Sequence, residues 1–348
     1  MKQKSMANIG LIPLMCLLLI GSGVFAQKIT VVQQGRATSI RGLSVVSDKI
    51  AWVSGSKGTI AITKDAGKTW TWQQVKGFET SDFRDIEAFS DKEAVIMSSG
   101  TPALILKTLD GGASWQIKYH NRDTSVFFDA MDFNGKYGCV MGDPINGHFV
   151  LFETEDKGKT WKQKDPSKSP VGRDGEASFA ASGTCFSIYD NGLMKTDGLV
   201  VVSGGSVANL NYALETGKKW STQTLPIAQG NSSAGAFSFT SNGKRWLVVG
   251  GDYQHDQRTD STACYSNNAG KTWTIAKVPP AFQSCVQYIS GKIYLSTGTA
   301  GSFITKDEGV TWSKIDGTSY NVVKNHGKFI VYAGNGGKIG IYSEVKTK

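Results

Sequence analysis

Short stretches of alternating apolar and polar residues run through the chain, and no long stretch has the 3.6-residue period of an amphipathic helix. The stretches come in groups of four. The first group is Arg41–Ser47, Ile50–Ser54, Gly58–Thr63 and Trp70–Val75, and the second is Phe83–Phe89, Ala94–Ser98, Ala103–Lys107 and Trp115–Tyr119. Val, Ile, Tyr and Phe are enriched in these stretches, which is typical of strands. The pattern therefore predicts an all-β protein.

A motif of the form Ser/Thr-x-Asp-x-Gly-x-Thr/Ser-Trp, called the box here, separates the third and fourth stretches of a group. It occurs at Thr63–Trp70, Thr108–Trp115, Thr154–Trp161 and Thr305–Trp312, with Asn268 replacing Asp in Ser266–Trp273 and a degraded copy at Leu214–Trp220. Asp accepts hydrogen bonds from the backbone just ahead, and Gly adopts positive φ without a steric penalty. One constant carboxylate per copy is too few for a calcium loop. The box therefore predicts a tight turn between two strands.

The boxes recur at intervals of roughly 40 to 60 residues, a period typical of β-propeller blades. The fourth group is irregular: we predict its first strand at Ala177–Ser182 and an insertion around Tyr189–Asp197. The seventh group, Tyr320–Tyr342, lacks a box and a fourth strand. Because Lys28–Gln34 alternates suitably, we expect it to pair with Lys338–Tyr342. The prediction is a seven-bladed β-propeller of four-stranded antiparallel blades, closed by the N-terminal strand.

The first 26 residues have the features of a secretory signal, with Lys2 and Lys4 before an apolar run and Val24-Phe25-Ala26 before Gln27. We expect residues 27–348 to form one propeller domain that is exported to the periplasm or the exterior, with no membrane span. Export permits disulfides, but the four cysteines that follow the predicted signal allow three pairings. These cysteines are Cys139, Cys185, Cys264 and Cys285.

The formal net charge of +9 comes mainly from lysines in or beside the predicted turns. They fit either a solvated surface or attraction to an acidic partner. The chain has no basic helix or stacked-aromatic signature of a nucleic-acid module, and no nucleotide, haem or zinc motif. We therefore predict no nucleic-acid partner, no cofactor and no metal site.

Propellers bind ligands on one face, around the central channel, so polar residues near the ends of the first strands are the candidate site. Arg41, Arg84 and Asp252 are candidates for binding. Asp85, Asp129, Asp143 and Glu176 are the catalytic candidates if the protein is an enzyme, since a glycosidase needs two carboxyl groups flanking the scissile bond. The alternative is that each acid caps a turn or pairs with an arginine.

The boxes resemble the Asp-box, or BNR, repeats of sialidases and sortilin-type receptors. Within that group the chain most resembles the photosystem II stability/assembly-factor-like proteins and their exported bacterial lookalikes. The closer match is carried by Phe83–Asp85, Val126–Met131, Met141–Pro144, Glu176–Thr184 and Gly250–Tyr253. The resemblance implies a non-catalytic, monomeric scaffold that binds a protein or peptide on the channel face. The alternative is a sialidase-superfamily-like glycoside hydrolase acting on a glycan.

Overall fold

The computed structural model describes residues 25–189, 198–213 and 219–346. Their strands form seven antiparallel sheets arranged as the blades of a ring, and no α-helix occurs in these residues. Two short 3-10 helices, Pro166–Lys168 and Tyr253–His255, lie in the connections. The predicted all-β, seven-bladed propeller is confirmed.

The first three blades contain four strands each and follow the N-terminal strand β1 (Phe25–Gln33). The first blade consists of β2 (Ile40–Val45), β3 (Ala51–Gly55), β4 (Thr59–Thr63) and β5 (Thr71–Gln74). The second consists of β6 (Asp82–Ala88), β7 (Ala94–Ser99), β8 (Ala103–Thr108) and β9 (Gln116–Asn121). The third consists of β10 (Phe128–Asn134), β11 (Tyr137–Ile145), β12 (His148–Thr154) and β13 (Lys162–Gln163).

The fourth and fifth blades are less regular, since a short strand β14 (Glu176–Ala177) pairs with β17 (Gly204–Gly205) and extends the sheet of the fifth blade. The fourth blade consists of β15 (Phe186–Tyr189), β16 (Gly198–Val202), β18 (Asn209–Ala213) and β19 (Ser221–Thr224). The fifth consists of β20 (Asn231–Asn242), β21 (Arg245–Asp252), β22 (Ala263–Ser266) and β23 (Thr274–Ile275).

The last two blades end at the closure of the ring. The sixth consists of β24 (Cys285–Ser290), β25 (Ile293–Gly298), β26 (Gly301–Thr305) and β27 (Ser313–Asp316). The seventh consists of β28 (Val322–His326), β29 (Phe329–Gly334), β30 (Lys338–Lys346) and β1. In the β1–β30 pair, Ile29 faces Tyr342 and Val31 faces Gly340, so the predicted pairing of Lys28–Gln34 with Lys338–Tyr342 is confirmed.

Side chains of the innermost strands tie neighbouring blades together around the channel. Each accepts a hydrogen bond from a backbone N–H of the next blade's innermost strand, which satisfies amides that have no partner within their own sheet. The acceptors and donors are Ser44 and Ala88 (3.1 Å), Asp85 and Met131 (2.8 Å), Asp132 and Ile188 (2.8 Å), Ser238 and Val286 (2.9 Å), and Cys285 and Val323 (3.5 Å).

The boxes form the predicted turns between third and fourth strands. In the first, Asp65 accepts hydrogen bonds from the Thr69 N–H at 2.9 Å and the Thr69 hydroxyl at 2.6 Å, while Thr63 Oγ1 accepts from the Gly67 N–H at 3.0 Å. Ala66 and Gly67 both have positive φ, of 60° and 82°. The aspartate is therefore a turn residue, as its spacing predicts.

The predicted first strand of the fourth blade is wrong. The innermost strand of this blade is β15, not Ala177–Ser182, which instead leads into a loop of residues 178–185 that crosses the channel. We call it the crossing loop. Most of the predicted insertion Tyr189–Asp197 and of the degraded box Leu214–Trp220 lies outside the described residues, as do the first 24 residues of the predicted signal. Cys139, Cys185, Cys264 and Cys285 are all free and buried.

Candidate functional site

A cavity of about 500 Å³, the entrance pocket, opens at the end of the channel where the innermost strands begin. Arg41, Arg84, Phe127, Asp129, Phe237 and Tyr253 are among its lining residues. Three of the residues selected from the sequence, Arg41, Arg84 and Asp129, therefore come together in one cavity. They come from the first three blades.

Four of these side chains occupy equivalent positions at irregularities of the innermost strands. At each of them the register of pairing with the second strand shifts. The shift at Arg41 lies between Ile40 and Gly42, and the one at Arg84 lies between Phe83 and Asp85. The shift at Asp129 lies between Phe128 and Ala130, and the one at Phe237 lies between Ala236 and Ser238. A β-bulge leaves one residue unpaired and redirects its side chain. The bulges explain why residues embedded in strands line the pocket.

The crossing loop forms the floor of the entrance pocket. Arg84 Nη1 donates to the Ala180 carbonyl at 3.4 Å, and Ser182 Oγ donates to the Ser284 carbonyl of the sixth blade at 2.7 Å. A Cβ at Gly183 would lie 2.3 Å from Asp85 Oδ2, so only glycine fits there. The loop is thus fixed to the second and sixth blades and closes the pocket from below.

The two arginines of the entrance pocket differ in their hydrogen-bond partners. Arg84 Nε donates to Asp82 at 2.8 Å, whereas the buried Nε of Arg41 has no hydrogen-bond partner among the described residues. Burial, together with the charge of Arg84, lowers the pKa of Arg41, and Asp82 opposes that effect. The Arg41 guanidinium therefore has an unused donor beside a second positive charge, which favours binding of an anion.

Asp129 is fully buried, and no described N–H or O–H group donates to either of its oxygens with good geometry. Burial, reinforced by the neighbouring Asp143 carboxyl, raises its pKa well above the ordinary value. Asp143 accepts the Ser178 N–H at 2.9 Å. Burial and the neighbouring Asp143 carboxyl therefore both favour the protonated form of Asp129.

The other acidic candidates are engaged in local structure. Asp85 accepts the N–H groups of Ile86 and Met131, both at 2.8 Å, and burial raises its pKa to about 7. Glu176 accepts from the Ser203 hydroxyl at 2.5 Å, the Asn209 amide at 3.1 Å and the Arg173 N–H at 2.9 Å. Neither carboxyl group lines the entrance pocket.

Asp252, the third binding candidate, lies beside the pocket rather than in it. Its carboxylate accepts the Ser233 hydroxyl at 2.6 Å and the Gln254 N–H at 3.0 Å, and contacts His255 Nδ1 at 2.8 Å. Burial opposes ionisation, but these hydrogen bonds prevail and lower the pKa to about 2. Asp252 caps the 3-10 helix that begins at Tyr253, and so positions a residue that does line the pocket.

Sequence reasoning missed the aromatic wall of the pocket. Phe179 of the crossing loop stacks on Phe237 with ring centroids 3.8 Å apart, and Phe282 meets Phe237 edge-on at 4.8 Å. Tyr253 completes the wall and is 46% exposed. Phenylalanines in strand-like segments are expected in the core, so nothing in the alternation distinguishes these as pocket residues.

A second cavity of about 410 Å³, the exit cavity, lies on the other side of the crossing loop and is lined by Gly183, Asp132 and Lys324 among others. Asp85, Glu87 and Asp132 raise the pKa of Lys324 against the effect of burial. Burial raises the pKa of Glu87 to about 8. Asp85 was selected from the sequence, but Glu87, Asp132 and Lys324 were not, because they fall on three separate blades.

Within the described residues, no group of three or more His, Cys, Asp or Glu side chains is placed to hold a metal ion. The same residues include no helix long and apolar enough to cross a membrane.

Residues 72–173 match the family model described as photosynthesis system II assembly factor YCF48. The structure of YCF48 bound to a D1 peptide aligns with 90% of this chain and 94% of its own, at a TM-score of 0.64 and 16% identity. This propeller is similar to the assembly-factor family over residues 72–173. YCF48 from Cyanidioschyzon merolae aligns with 91% of this propeller and 98% of its own chain, at a TM-score of 0.60 and 14% identity.

The fold also occurs in an enzyme. Virginiamycin B lyase from Staphylococcus aureus aligns with 91% of this chain and 99% of its own chain, at a TM-score of 0.64 and 13% identity. No curated protein sequence matches the chain. At these identities the structural likenesses establish the fold, and function has to be argued from the entrance pocket.

Proposed function

We propose that the protein is an exported, non-catalytic scaffold that holds an acidic segment of a protein partner in the entrance pocket. The unpartnered, buried Nε of Arg41 beside Arg84 is the observation that carries this proposal. A carboxylate from the partner would complete the hydrogen bonding of Arg41 and offset the repulsion between Arg41 and Arg84. Arginine suits that task because its planar group binds carboxylates in a bidentate manner.

The aromatic wall supports a peptide rather than a small anion. Phe179, Phe237 and Tyr253 offer apolar surface next to the arginines, so the pocket matches a carboxylate preceded or followed by apolar side chains. A cavity of about 500 Å³ accommodates only a few such side chains. YCF48, which shares this fold, has been solved with a D1 peptide bound, and that supports a peptide partner for this propeller as well.

The proposal is tested by capturing proteins from the exported fraction of the source cells on the immobilised chain. We expect Arg84→Ala to abolish capture of the specific partner, because it removes half of the positive pair. Arg258→Ala is the matched control, since Arg258 is exposed and paired with Asp260 away from the pocket. Thermal unfolding verifies that both variants fold. A partner retained equally by Arg84→Ala and wild type would refute the proposal.

Export rests on the sequence of the first 26 residues, and its test is the N-terminus of the protein isolated from cells. We expect that N-terminus to be Gln27, because the small-residue signature at Val24-Phe25-Ala26 precedes it. A chain that keeps its first residues and stays in the cytoplasm would refute this part of the proposal.

A glycoside hydrolase is the second candidate, and the Asp129–Asp143 pair beside the pocket is the observation in its favour. A glycosidase needs carboxyl groups roughly 5–10 Å apart to leave room for the sugar bond or for water. Asp129 is fully buried and Asp143 already accepts the Ser178 N–H, so neither carboxyl group is presented as a free acid or base to a bound sugar. We therefore favour the scaffold. Turnover of any glycan that Asp129→Asn abolishes would reverse this preference.

A further inference from the structure

Three of the boxes lie over the same position of the preceding blade, whereas Gly67 contacts Ile341 and Phe329 of the seventh blade and Gly270 contacts Trp246 of its own blade. The box glycines Gly112, Gly158 and Gly309 pack against Trp52, Val95 and Leu247 of the blades before them. Each of these three residues lies three positions after the lysine that ends the turn between first and second strands, namely Lys49, Lys92 and Lys244. In these three cases the same register places the box over this position of the preceding blade.

The seventh blade cannot place a box over the sixth blade in this way, because the ring closes there. Ile341 pairs with Val331 as Ile62 pairs with Trp52, so Tyr342 takes the place of Thr63, the first residue of a box. The chain does not turn at Tyr342. It continues as β30 to Lys346 and pairs with β1, and no box follows in the described residues.

The surface that a seventh box would cover is a groove of about 700 Å³ between the sixth and seventh blades, the seam groove. Leu295, three positions after Lys292, lines it together with Ile289, Ile293, Ile330 and Tyr342. Ile289 and Ile293 are only partly buried, although both pack on the core of the seam. An apolar groove of this kind marks a docking site when it lies on the surface of a folded protein.

The charges beside the seam groove indicate what fits it. Lys328 is exposed and lines it, Lys292 is exposed and directly precedes the lining residue Ile293, and Glu344 is the acidic residue that lines it. The turns that fill the equivalent sites in this molecule carry a carboxylate or amide and a Trp, such as Asp307 and the 5%-exposed Trp312. A turn with an acid and a bulky aromatic side chain is complementary in both shape and charge.

We propose that the seam groove docks a protein partner through a tight turn that presents a carboxylate and a large aromatic side chain. The partner's turn takes the place of the missing seventh box, with its aromatic ring against Leu295 and Ile293 and its carboxylate near Lys292 or Lys328. This second docking site lies at the opposite end of the ring from the entrance pocket. It does not depend on what the entrance pocket binds.

The probe is a peptide with the sequence of the sixth box, Thr305–Trp312, with blocked ends and closed by a linker into a turn. We expect saturable binding to the purified full chain, measured by fluorescence anisotropy of a label on the linker. Replacing the Trp of the peptide by Ala should weaken binding about tenfold or more, because aromatic anchors supply most of the energy at such sites. Ile293→Glu in the chain should have a similar effect.

Ile50→Glu is the matched control, because Ile50 follows Lys49 as Ile293 follows Lys292 and the box of the second blade already covers its surroundings. It should leave peptide binding unchanged. Absence of binding at millimolar peptide, or binding insensitive to both Ile293→Glu and loss of the peptide Trp, refutes the proposal. Binding that appears only after removal of the residues before Gln27 would show that the chain's own N-terminal segment occupies the groove, and would also refute it.

Discussion

The carboxyl groups of the boxes and those of the channel behave in opposite ways, although most belong to the same residue type. Hydrogen bonds from Thr69 lower the pKa of Asp65 to about 2, and Asp110 and Asp156 have the same low value. In the channel, burial raises the pKa of Asp85 to about 7 and that of Glu87 to about 8.

Hydrogen bonds alone do not explain the difference. Asp85 accepts two backbone N–H groups at 2.8 Å, yet its pKa rises, whereas Asp65 accepts from Thr69 and its pKa falls. Asp65 lies in a turn in contact with water, and Asp85 is only 1% exposed. Loss of solvation therefore outweighs the hydrogen bonds at Asp85. The repeated acids maintain turns at the rim, and the unrepeated acids belong to the channel.

The largest effect is expected from removing the Asp85 carboxyl. Asp85→Ala leaves the N–H groups of Ile86 and Met131 without acceptors in a buried site, which should lower the free energy of unfolding by roughly 2–5 kcal/mol. Urea denaturation followed by tryptophan fluorescence measures the change. Asp65→Ala is the comparison and should cost less, because water can satisfy the amides it exposes. Equal losses for the two variants would contradict the distinction between rim and channel.

The dependence of stability on pH gives the next effect in size. Because the folded-state pKa values of Asp85 and Glu87 lie above their ordinary values, the folded protein keeps protons that the unfolded chain releases. Unfolding free energy should therefore fall as pH rises from about 4 to about 8. Asp132 also has a raised pKa and adds to the effect, and Lys324 remains protonated throughout this range.

Glu87→Gln should reduce this fall in stability, since it removes one of the titrating groups and keeps the size of the side chain. Asp48→Asn, in an exposed turn outside the channel, is the control and should leave the pH profile as it is. The measurement is the urea midpoint across pH 5–9. A wild-type profile that is flat or rises over this range would contradict the raised pKa values.

Local signals in the sequence predicted most of the scaffold. The Asp and Gly of each box determine a turn within eight residues, and alternation determines the strands between the turns. The closing pair also followed from a local deficit, since the seventh group lacks one strand and Lys28–Gln34 supplies it. Such features need no knowledge of distant contacts.

The crossing loop and the pocket wall could not be predicted in this way. Ser178–Ser182 alternates like a strand, but Phe179 stacks on Phe237 and Ser182 bonds to Ser284, so tertiary contacts override the local pattern. Arg41 and Arg84 were selected because they recur at one repeat position. The bulges that turn them into the pocket are a property of strand pairing and leave no mark in a single sequence.

The smallest effect is expected at the box itself, and Asn268 indicates why. In the fifth blade this residue replaces Asp, yet its Oδ1 accepts the Thr272 N–H at 2.9 Å and its amide donates to Thr272 Oγ1 at 2.9 Å. Asp307→Asn should therefore change the free energy of unfolding by no more than about 0.5 kcal/mol at neutral pH.

The same substitution should also reduce the loss of stability on acidification. Asp307 has a lowered pKa, so its contribution to the free energy of unfolding disappears as the pH falls through that pKa. Urea denaturation at pH 7 and near pH 3 measures both effects, with Asp307→Ala as the control that loses the contacts. An Asn variant as unstable as the Ala variant would mean that the box depends on charge rather than on hydrogen-bond geometry.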